Sequence, residues 1–467
     1  MRIRWQNYRG YTDTGALRLR PLTLLVGANN AGKTSLYSPL LLMKQTLESA
    51  RTSTALLSRG DLFDAGRFRD FVRGHDSDLH VTFTFELESP QSRHFLEAME
   101  PEDLPETLEV AFSAADQRGL QTQLERYRLF NAEGRVLLRR QRRPDGSFGV
   151  DSVLLPSEQA VGRPPGPVSR LRRAMREEQP EHFLFRGSGG LTGVRDLEQT
   201  APEHVGRVQL WLNAGIRQFQ VQNAVAAVVR RQLARIAYVG PLRAVPQRTY
   251  RLSVEPPMDV GTNGEYAPEL LYRDHAEGSG ELLAEVNRFL ETCGYGGIDF
   301  QSAADGETFE LLIGNRLGGT PANLVDSGMG LSQLLPLVTQ NLVSRANSLS
   351  IVQQPEIHLN PALQVRLMDH LASRVASGQR IVIETHSEHL LLRLRRLIAE
   401  GTVGAEDVGL LYADRTESGA QVRPVTVTES GSIPKDEWPQ GFFAEQMQDS
   451  LHLAREQARL ARGRMRA

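Results

Sequence analysis

The sequence predicts an α/β fold built on a mixed, mainly parallel sheet. Three observations carry this. Apolar runs of strand length alternate with helical patterns after about residue 280, as in a sheet covered on both faces. A glycine-rich loop, GANNAGKTS at residues 27–35, joins an apolar strand to a helical pattern. The chain has 467 residues, 40% hydrophobic and 24% charged, ordinary for a globular protein with a large core.

The elements read in order. RIRWQNY is a short strand, closed by a turn at Arg9–Gly10, and LRLRPLTLLVG ends in an apolar strand from Leu22 to Val26. SLYSPLLLMKQTLESA has helical spacing, with Pro39 expected to bend or restrict it. LHVTFTFELES, TLEVAFSA and ERYRLFNAEG read as strands, GRPPGPVS as a loop, and QNAVAAVVRRQLARIAYVG as a helix running into a strand. ELLAEVNRFLETCG is a helix with a glycine stop, TFELLIG a strand, and DSGMGLSQLLPLVTQNLVSRA a glycine turn opening a helix. SLSIVQQPEIHLNP is a buried strand and polar turn, and a helix follows from Pro361, a favourable first position. QRIVIETHSEHLLLRLRRLIAEG repeats strand, turn and helix. DVGLLYAD and AQVRPVTV are the last strands, and FFAEQMQDSLHLAREQARLARGRM is a closing helix.

Composition narrows the function classes. A net charge of −2 gives no global field marking a nucleic-acid or membrane protein. A single cysteine, Cys293, excludes an internal disulfide framework and a multi-cysteine zinc site, and fits a reducing, cytoplasmic location. MRIRWQNYRGY lacks the apolar stretch of a signal peptide, and LYSPLLLM is far too short for a membrane span. Lysine occurs only at Lys33, Lys44 and Lys435, so the lysine of the glycine loop stands out among arginines.

Gly27, Gly32, Lys33 and Thr34 match the pattern G-x-x-x-x-G-K-[ST]. Glycines let backbone N–H groups turn toward phosphate oxygens, the following helix presents its positive end, and lysine neutralises the outer phosphates. The threonine hydroxyl suits Mg²⁺. Such a pattern also arises by chance; the strand before it and the helix after it supply the required context. Gly27, Asn29, Asn30, Ala31, Gly32, Lys33, Thr34 and Ser35 are therefore the candidate residues for ATP, with Mg²⁺ as its companion.

With these stretches quoted, the chain resembles the ATP-binding-cassette ATPases typified by the overcoming-lysogenization-defect (OLD) proteins, and more distantly RecF and the SMC heads. The resemblance lies in GANNAGKTS, GDLFDAGRFRDFVRGHD, YVGPLRAVPQR, DSGMGLSQLLPL, QQPEIHLNP and IETHSEHLLLRLRR. The end segment WPQGFF resembles a short C-terminal domain of unknown function. The implied fold is a P-loop NTPase of ABC-head type with an inserted β and helical region and a small C-terminal α+β segment. The implied division is an N-terminal ATPase lobe over 1–75, an insert over 76–240, a C-terminal ATPase lobe over 241–405 and a small domain over 406–467.

The resemblance implies that Gly328, Gly330, Ser332 and Gln333 form a signature loop meeting the γ-phosphate of an ATP held by a second copy. Ser332 is a candidate helix cap beside that anion; the plain alternative is a capped helix behind a glycine turn. His386 of THS resembles the switch histidine that contacts the γ-phosphate, and His389 reads as helix surface. Gln45 is the only candidate for a Q-loop glutamine, and Arg243 is either a phosphate or interface residue or a surface arginine.

One departure matters. Related strands end in an acidic residue that holds Mg²⁺ through water and often read Glu-Gln-Pro-Glu; here the run is Gln353-Gln354-Pro355-Glu356. A neutral amide is a poor partner for a hard cation and cannot act as a general base. Gln353 thus occupies the metal position without its charge, Gln354 the position of the base, and Glu356 is the nearest carboxylate. Three readings stand: an introduced substitution that keeps binding and blocks turnover, a natural slow ATPase or clamp, or Glu356 sharing the role. Asn360 replaces a histidine common in relatives.

Some eighty residues follow His386, with Asp414 and Glu417 but no paired-aspartate motif, so no nuclease module is expected in the chain. The expected partners are a second copy in an ATP-sandwiched dimer or higher oligomer, and a separate effector such as a nuclease, in prokaryotic anti-phage defence. Arginine clusters at LLRRQRRPDG, SRLRRAMR, LLLRLRRL and ARLARGRMRA are either solvated faces or a DNA groove. The competing functions are a RecF-like or SMC-like DNA repair ATPase and a non-hydrolysing ATP-bound scaffold.

Overall fold

The computed structural model describes residues 1–88, 100–116, 118–156, 166–187, 205–303, 306–315, 318–417, 419–434, 436–438, 452 and 455. The chain forms two compact units: Met1–Leu19 with Thr34–Ile236, and Arg20–Lys33 with Ala237–Ala467. The expected closing helix and most of WPQGFF lie outside the described residues, as does the first half of GRPPGPVS; its second half, Gly166–Ser169, is not the expected loop but opens the helix Gly166–Glu177.

The strands in chain order begin with β1 (Arg2–Tyr8), β2 (Tyr11–Asp13), β3 (Leu17–Arg18) and β4 (Leu22–Gly27). There follow β5 (Val81–Glu86), β6 (Thr107–Ala114), β7 (Thr122–Phe130), β8 (Val136–Arg142) and β9 (Phe148–Ser152). In the first unit these strands, β4 excepted, make one sheet in the order β2-β1-β5-β6-β7-β8-β9, with β3 also on β1. Alternation explains it: β7 buries Leu124, Tyr127 and Leu129 while Arg126 and Arg128 lie on the other face, both paired with Glu109. β1 pairs antiparallel with β5, so strands from either side of residue 75 share this sheet. Pro39 is the second residue of the helix Ser38–Glu48, where it neither bends the helix nor removes an intrahelical bond. Gln45 is buried, its amide donating to Leu57 O and Phe63 O and accepting from Phe63 N–H, so it staples its own loop.

Two strands, β8 and β9, went unread because LLRRQRRPDG looks like a solvated charge run. Arg139 and Arg143 are indeed exposed, but Arg140 is wholly buried. Its guanidinium donates to Met175 O at 2.8 Å, to Glu178 and to Gln222 Oε1 at 3.2 Å, and lies 4.1 Å from the Phe185 ring centroid. The flat, always-charged arginine suits such a buried pair. The helix Val205–Ala234 closes this unit's described residues.

The second unit holds β4 with β10 (Ile236–Val239, its first residue at the boundary), β11 (Tyr250–Arg251), β12 (Ile298–Ser302), β13 (Thr308–Ile313) and β14 (Ala322–Asn323). It continues with β15 (Leu349–Gln353), β16 (Arg380–Glu384), β17 (Val408–Thr416) and β18 (Gly419–Val425). The main sheet runs β10-β15-β16-β4-β17-β18, and β11 to β14 form a small antiparallel sheet. Pairs β15·β16, β16·β4 and β4·β17 are parallel. Parallel strands need crossovers: the helix Pro361–Ala376 carries the chain from β15 to its neighbour β16, and Glu388–Ala399 carries it from β16 past β4 to β17.

This is an α/β fold with a mixed, mainly parallel sheet: the strand feeding the glycine loop lies at the centre, with one strand between it and the strand ending at Gln353. Leu22–Gly27 is buried throughout, and one core continues through Leu24, Val352, Ile383 and Leu410 and the helices that cover them. β17 and β18 belong to the same sheet, so the chain to Val425 contributes to that core.

Arg140→Ala leaves Glu178 buried without its partner. It should destabilise the protein by about 3–5 kcal/mol. A fall in the denaturant midpoint checks this; an unchanged midpoint places the arginine at the surface.

Candidate functional site

β4 delivers its chain end to the glycine loop. At Gly27, φ is +144°, and a Cβ there would sit 2.1 Å from Ala413 O on β17, so only glycine lets the two strands pair so closely. Ala28, Asn29 and Asn30 are exposed, Ala31 is buried, and Ala31 N–H donates to Ala28 O. Asn30 and Gly32 have φ of +60° and +98°, which folds the loop back on itself. Lys33 is 4% exposed and its Nζ donates to Gly27 O at 3.0 Å and Ala28 O at 2.8 Å. Burial holds this ammonium below its ordinary pKa, opposed by the charges of Glu384 and then Glu356. Both present acceptors are neutral carbonyls, so an anionic oxygen competes for the same charge on favourable terms. Thr34 and Ser35 open the other unit.

β16, beside β4, and β15 beyond it end level with each other, two residues short of the end of β4. In the ladder Gln353 is the partner of Glu384, and Glu384 is the partner of Leu25. The Gln353 amide oxygen accepts the Tyr238 hydroxyl at 2.7 Å, and burial pushes that phenol up to about 12. Gln354 turns the chain with φ of +45°, an uncommon conformation for a residue with a side chain, and donates its N–H to Glu384 O at 2.7 Å. Arg243 is 6% exposed, not a surface arginine: it donates to Pro241 O, Gln354 O and Gln353 O at 3.0–3.1 Å. Its guanidinium is pulled down to about 10 by burial, with Glu356 opposing. It braces the turn through its carbonyls.

Glu356 ties this turn to the next strand end. One carboxylate oxygen accepts the Thr385 hydroxyl at 2.8 Å and the other accepts His386 N–H at 2.7 Å. Ser387 caps the helix Glu388–Ala399, its hydroxyl accepting from Leu390 N–H. The His386 imidazole is half-buried; burial and then the Lys33 charge hold it below its ordinary 6.5, so it is neutral at pH 7. Asn360, in place of the relatives' histidine, caps the helix Pro361–Ala376 by accepting from Leu363 N–H at 3.0 Å.

The glycine turn at 328 opens the helix Met329–Val343 as expected, but Ser332 is not its cap. Gly328, with φ of +85°, holds the N-cap position, and Ser332 is the fourth helical residue, its hydroxyl donating to Met329 O at 2.9 Å. Ser332 and Gln333 are buried in the fold. Gly328 and Met329 are exposed and Gly330 half-exposed, so backbone near the helix start is what the turn presents.

The structure therefore gathers Gly27–Lys33, Gln353, Gln354, Glu356 and His386 around the ends of β4, β15 and β16. Tyr238 and Glu384 escaped the sequence reading. Glu384 was legible as an acid ending the apolar run RIVI, level with Gln353; Tyr238 carried no such signal. Among the described residues, no three His, Cys, Asp or Glu cluster as a metal site, and no helix is long and apolar enough to cross a membrane.

Residues 403–453 match a family described as "Protein of unknown function (DUF3696)", a stretch that includes WPQGFF. No curated protein matches the chain. Among solved structures, the SMC head bound to the C-winged helix domain of ScpA matches at TM-score 0.39 and 10% identity, over 92% of this chain and 98% of that one. A Pyrococcus furiosus Smc head with an extended coiled coil, bound to the C-terminal domain of ScpA, matches at 0.36 and 10%, over 91% and 96%. The Thermotoga maritima SMC head domain matches at 0.35 and 10%, over 91% and 98%.

The positive charge of Lys33 disfavours the imidazolium of His386. An NMR titration should place the His386 midpoint below 6.5 and move it upward in Lys33→Ala. A midpoint that stays put or falls contradicts the proximity.

Proposed function

We propose that this protein is an ATP-binding switch that associates with a second copy when ATP is bound and turns ATP over slowly. The observation that carries this is the glycine loop, with its buried Lys33, set against strand ends locked together through Glu356, Thr385 and His386. Loop N–H groups and Lys33 hold the triphosphate. Neutral His386 donates a hydrogen bond toward the outer phosphate without adding a charge.

Gln353 and Gln354 supply no carboxylate for Mg²⁺ or for activating water, and both oxygens of Glu356 are engaged in the turn. That composition favours holding ATP over rapid hydrolysis. Mg²⁺ arrives with the nucleotide and neutralises phosphate charge; Thr34, by the motif, and Gln353 are the residues offered to it. The donor chemistry fits a hard cation only if a carboxylate joins them.

The exposed turn Gly328–Gly330 is offered to the triphosphate of a second copy, backbone first. The defence setting, with a separate effector such as a nuclease, rests on the resemblance of the motifs to OLD proteins. The DNA reading has no observation of its own. In LLLRLRRL, Arg393 pairs with Asp369, Arg395 donates to Gly431 O and Arg396 pairs with Glu400.

Two variants separate binding from association. Lys33→Ala should reduce ATP affinity at least about tenfold, the loss of one strong charge-assisted contact. Met329→Asp adds an acid at the first helical position, which the helix favours locally while repelling an incoming triphosphate. It should bind ATP normally yet fail to associate on ATP addition in sedimentation velocity. ATP-driven association surviving in Met329→Asp removes the signature reading.

A further inference from the structure

We infer that Glu384 supplies the negative charge missing at the metal-holding strand end, acting from the adjacent strand on the Mg²⁺ that accompanies ATP. This rests on the reading of the loop as an ATP site and deepens it.

The register carries the inference. Gln353 is the last residue of β15, Glu384 the last of β16, and the two are partners in a parallel ladder. Partnered residues of neighbouring strands point to the same face of a sheet. A carboxylate moved from 353 to 384 therefore shifts sideways by one strand spacing, about 4.8 Å, and stays on the same face and level. It also moves toward the glycine loop, because β16 lies between β15 and β4 and Glu384 partners Leu25, two residues before Gly27.

The environment makes the same point. Glu384 is 4% exposed at the end of a strand whose preceding three residues, Ile381, Val382 and Ile383, are wholly apolar. A carboxylate in such a place is costly unless a cation is near. The nearby cation is Lys33, on which Glu384 acts more strongly than Glu356 does. Lys33 is also the group that a triphosphate recruits, so a Mg²⁺ ion bound to the same phosphates comes near Glu384 and suits it by charge and by its preference for oxygen. At the neighbouring position Gln353 accepts from Tyr238, a neutral bond needing no cation. Glu384 is thus a positioning residue, and nothing in its role requires it to take a proton from water.

The competing role is a plain counter-ion for Lys33, and affinity measurements separate the two. A fluorescent ATP analogue is titrated into the full chain with Mg²⁺ and with EDTA, for wild type, Glu384→Gln, and Glu384→Gln combined with Gln353→Glu. Wild type should bind more tightly with Mg²⁺. Glu384→Gln should keep or improve its affinity in EDTA and lose about tenfold or more of the Mg²⁺ enhancement, the usual scale for losing a carboxylate near a metal. The double variant, which moves the charge back to β15, should recover most of it and also reports that the fold is intact. If Glu384→Gln keeps the full Mg²⁺ enhancement, or wild type binds ATP with none, the inference falls while the ATP site stands. If wild type binds no nucleotide under either condition, the underlying reading falls first.

Discussion

The hydrogen-bond register of three parallel strands decides where everything else falls. β15 and β16 end level with each other and with Leu25 of β4, so Gln353, Glu384 and Leu25 form one row beneath the glycine loop. A slip of one residue would send each of these side chains to the opposite face. The register is held by burial, since the strands are apolar along their lengths and covered by helices. It is closed at the ends by backbone bonds from Gln354 N–H to Glu384 O and from Thr385 N–H to Leu25 O.

Beyond that row the chain departs from regular structure and is over-determined. Gln354 and His358 both have positive φ, which costs energy that surrounding contacts must offset. Arg243 grips the carbonyls of 353 and 354, and Glu356 grips Thr385 and His386, so the turns after β15 and β16 are tied together. On the proposed reading, occupancy of the loop changes what Lys33 and His386 face, and these ties are the route by which the Gln354 turn would respond.

Much of this was legible in the residues. The strand–glycine loop–helix order, the turn after Val352, the THS turn and the capped helices follow from apolar runs ended by glycine, proline and small polar side chains. The reading failed where chemistry was hidden by context. LLRRQRRPDG hid a strand because one arginine in the run is buried against Glu178, and no local pattern announces a partner 38 residues away. Ser332 looked like a cap because serine commonly caps; Gly328 took that position since its φ of +85° suits the turn. Arg243 reads equally as a phosphate or interface residue and as a surface arginine because its partners are carbonyls, which leave no trace in side-chain composition. Glu384 was overlooked because motif positions direct attention to residue 353, whereas charge balance depends on the neighbouring strand.

On the proposed reading, a site with amides where carboxylates are expected, and with Glu356 engaged in the turn, recognises a triphosphate and keeps it. Competition binding tests that claim most directly. With a fluorescent ATP analogue bound to the full chain in Mg²⁺, unlabelled ATP should displace it at least about 100-fold more effectively than AMP, because the grip is on the outer phosphates. Equal displacement by AMP, or no binding of the analogue at all, would contradict the account.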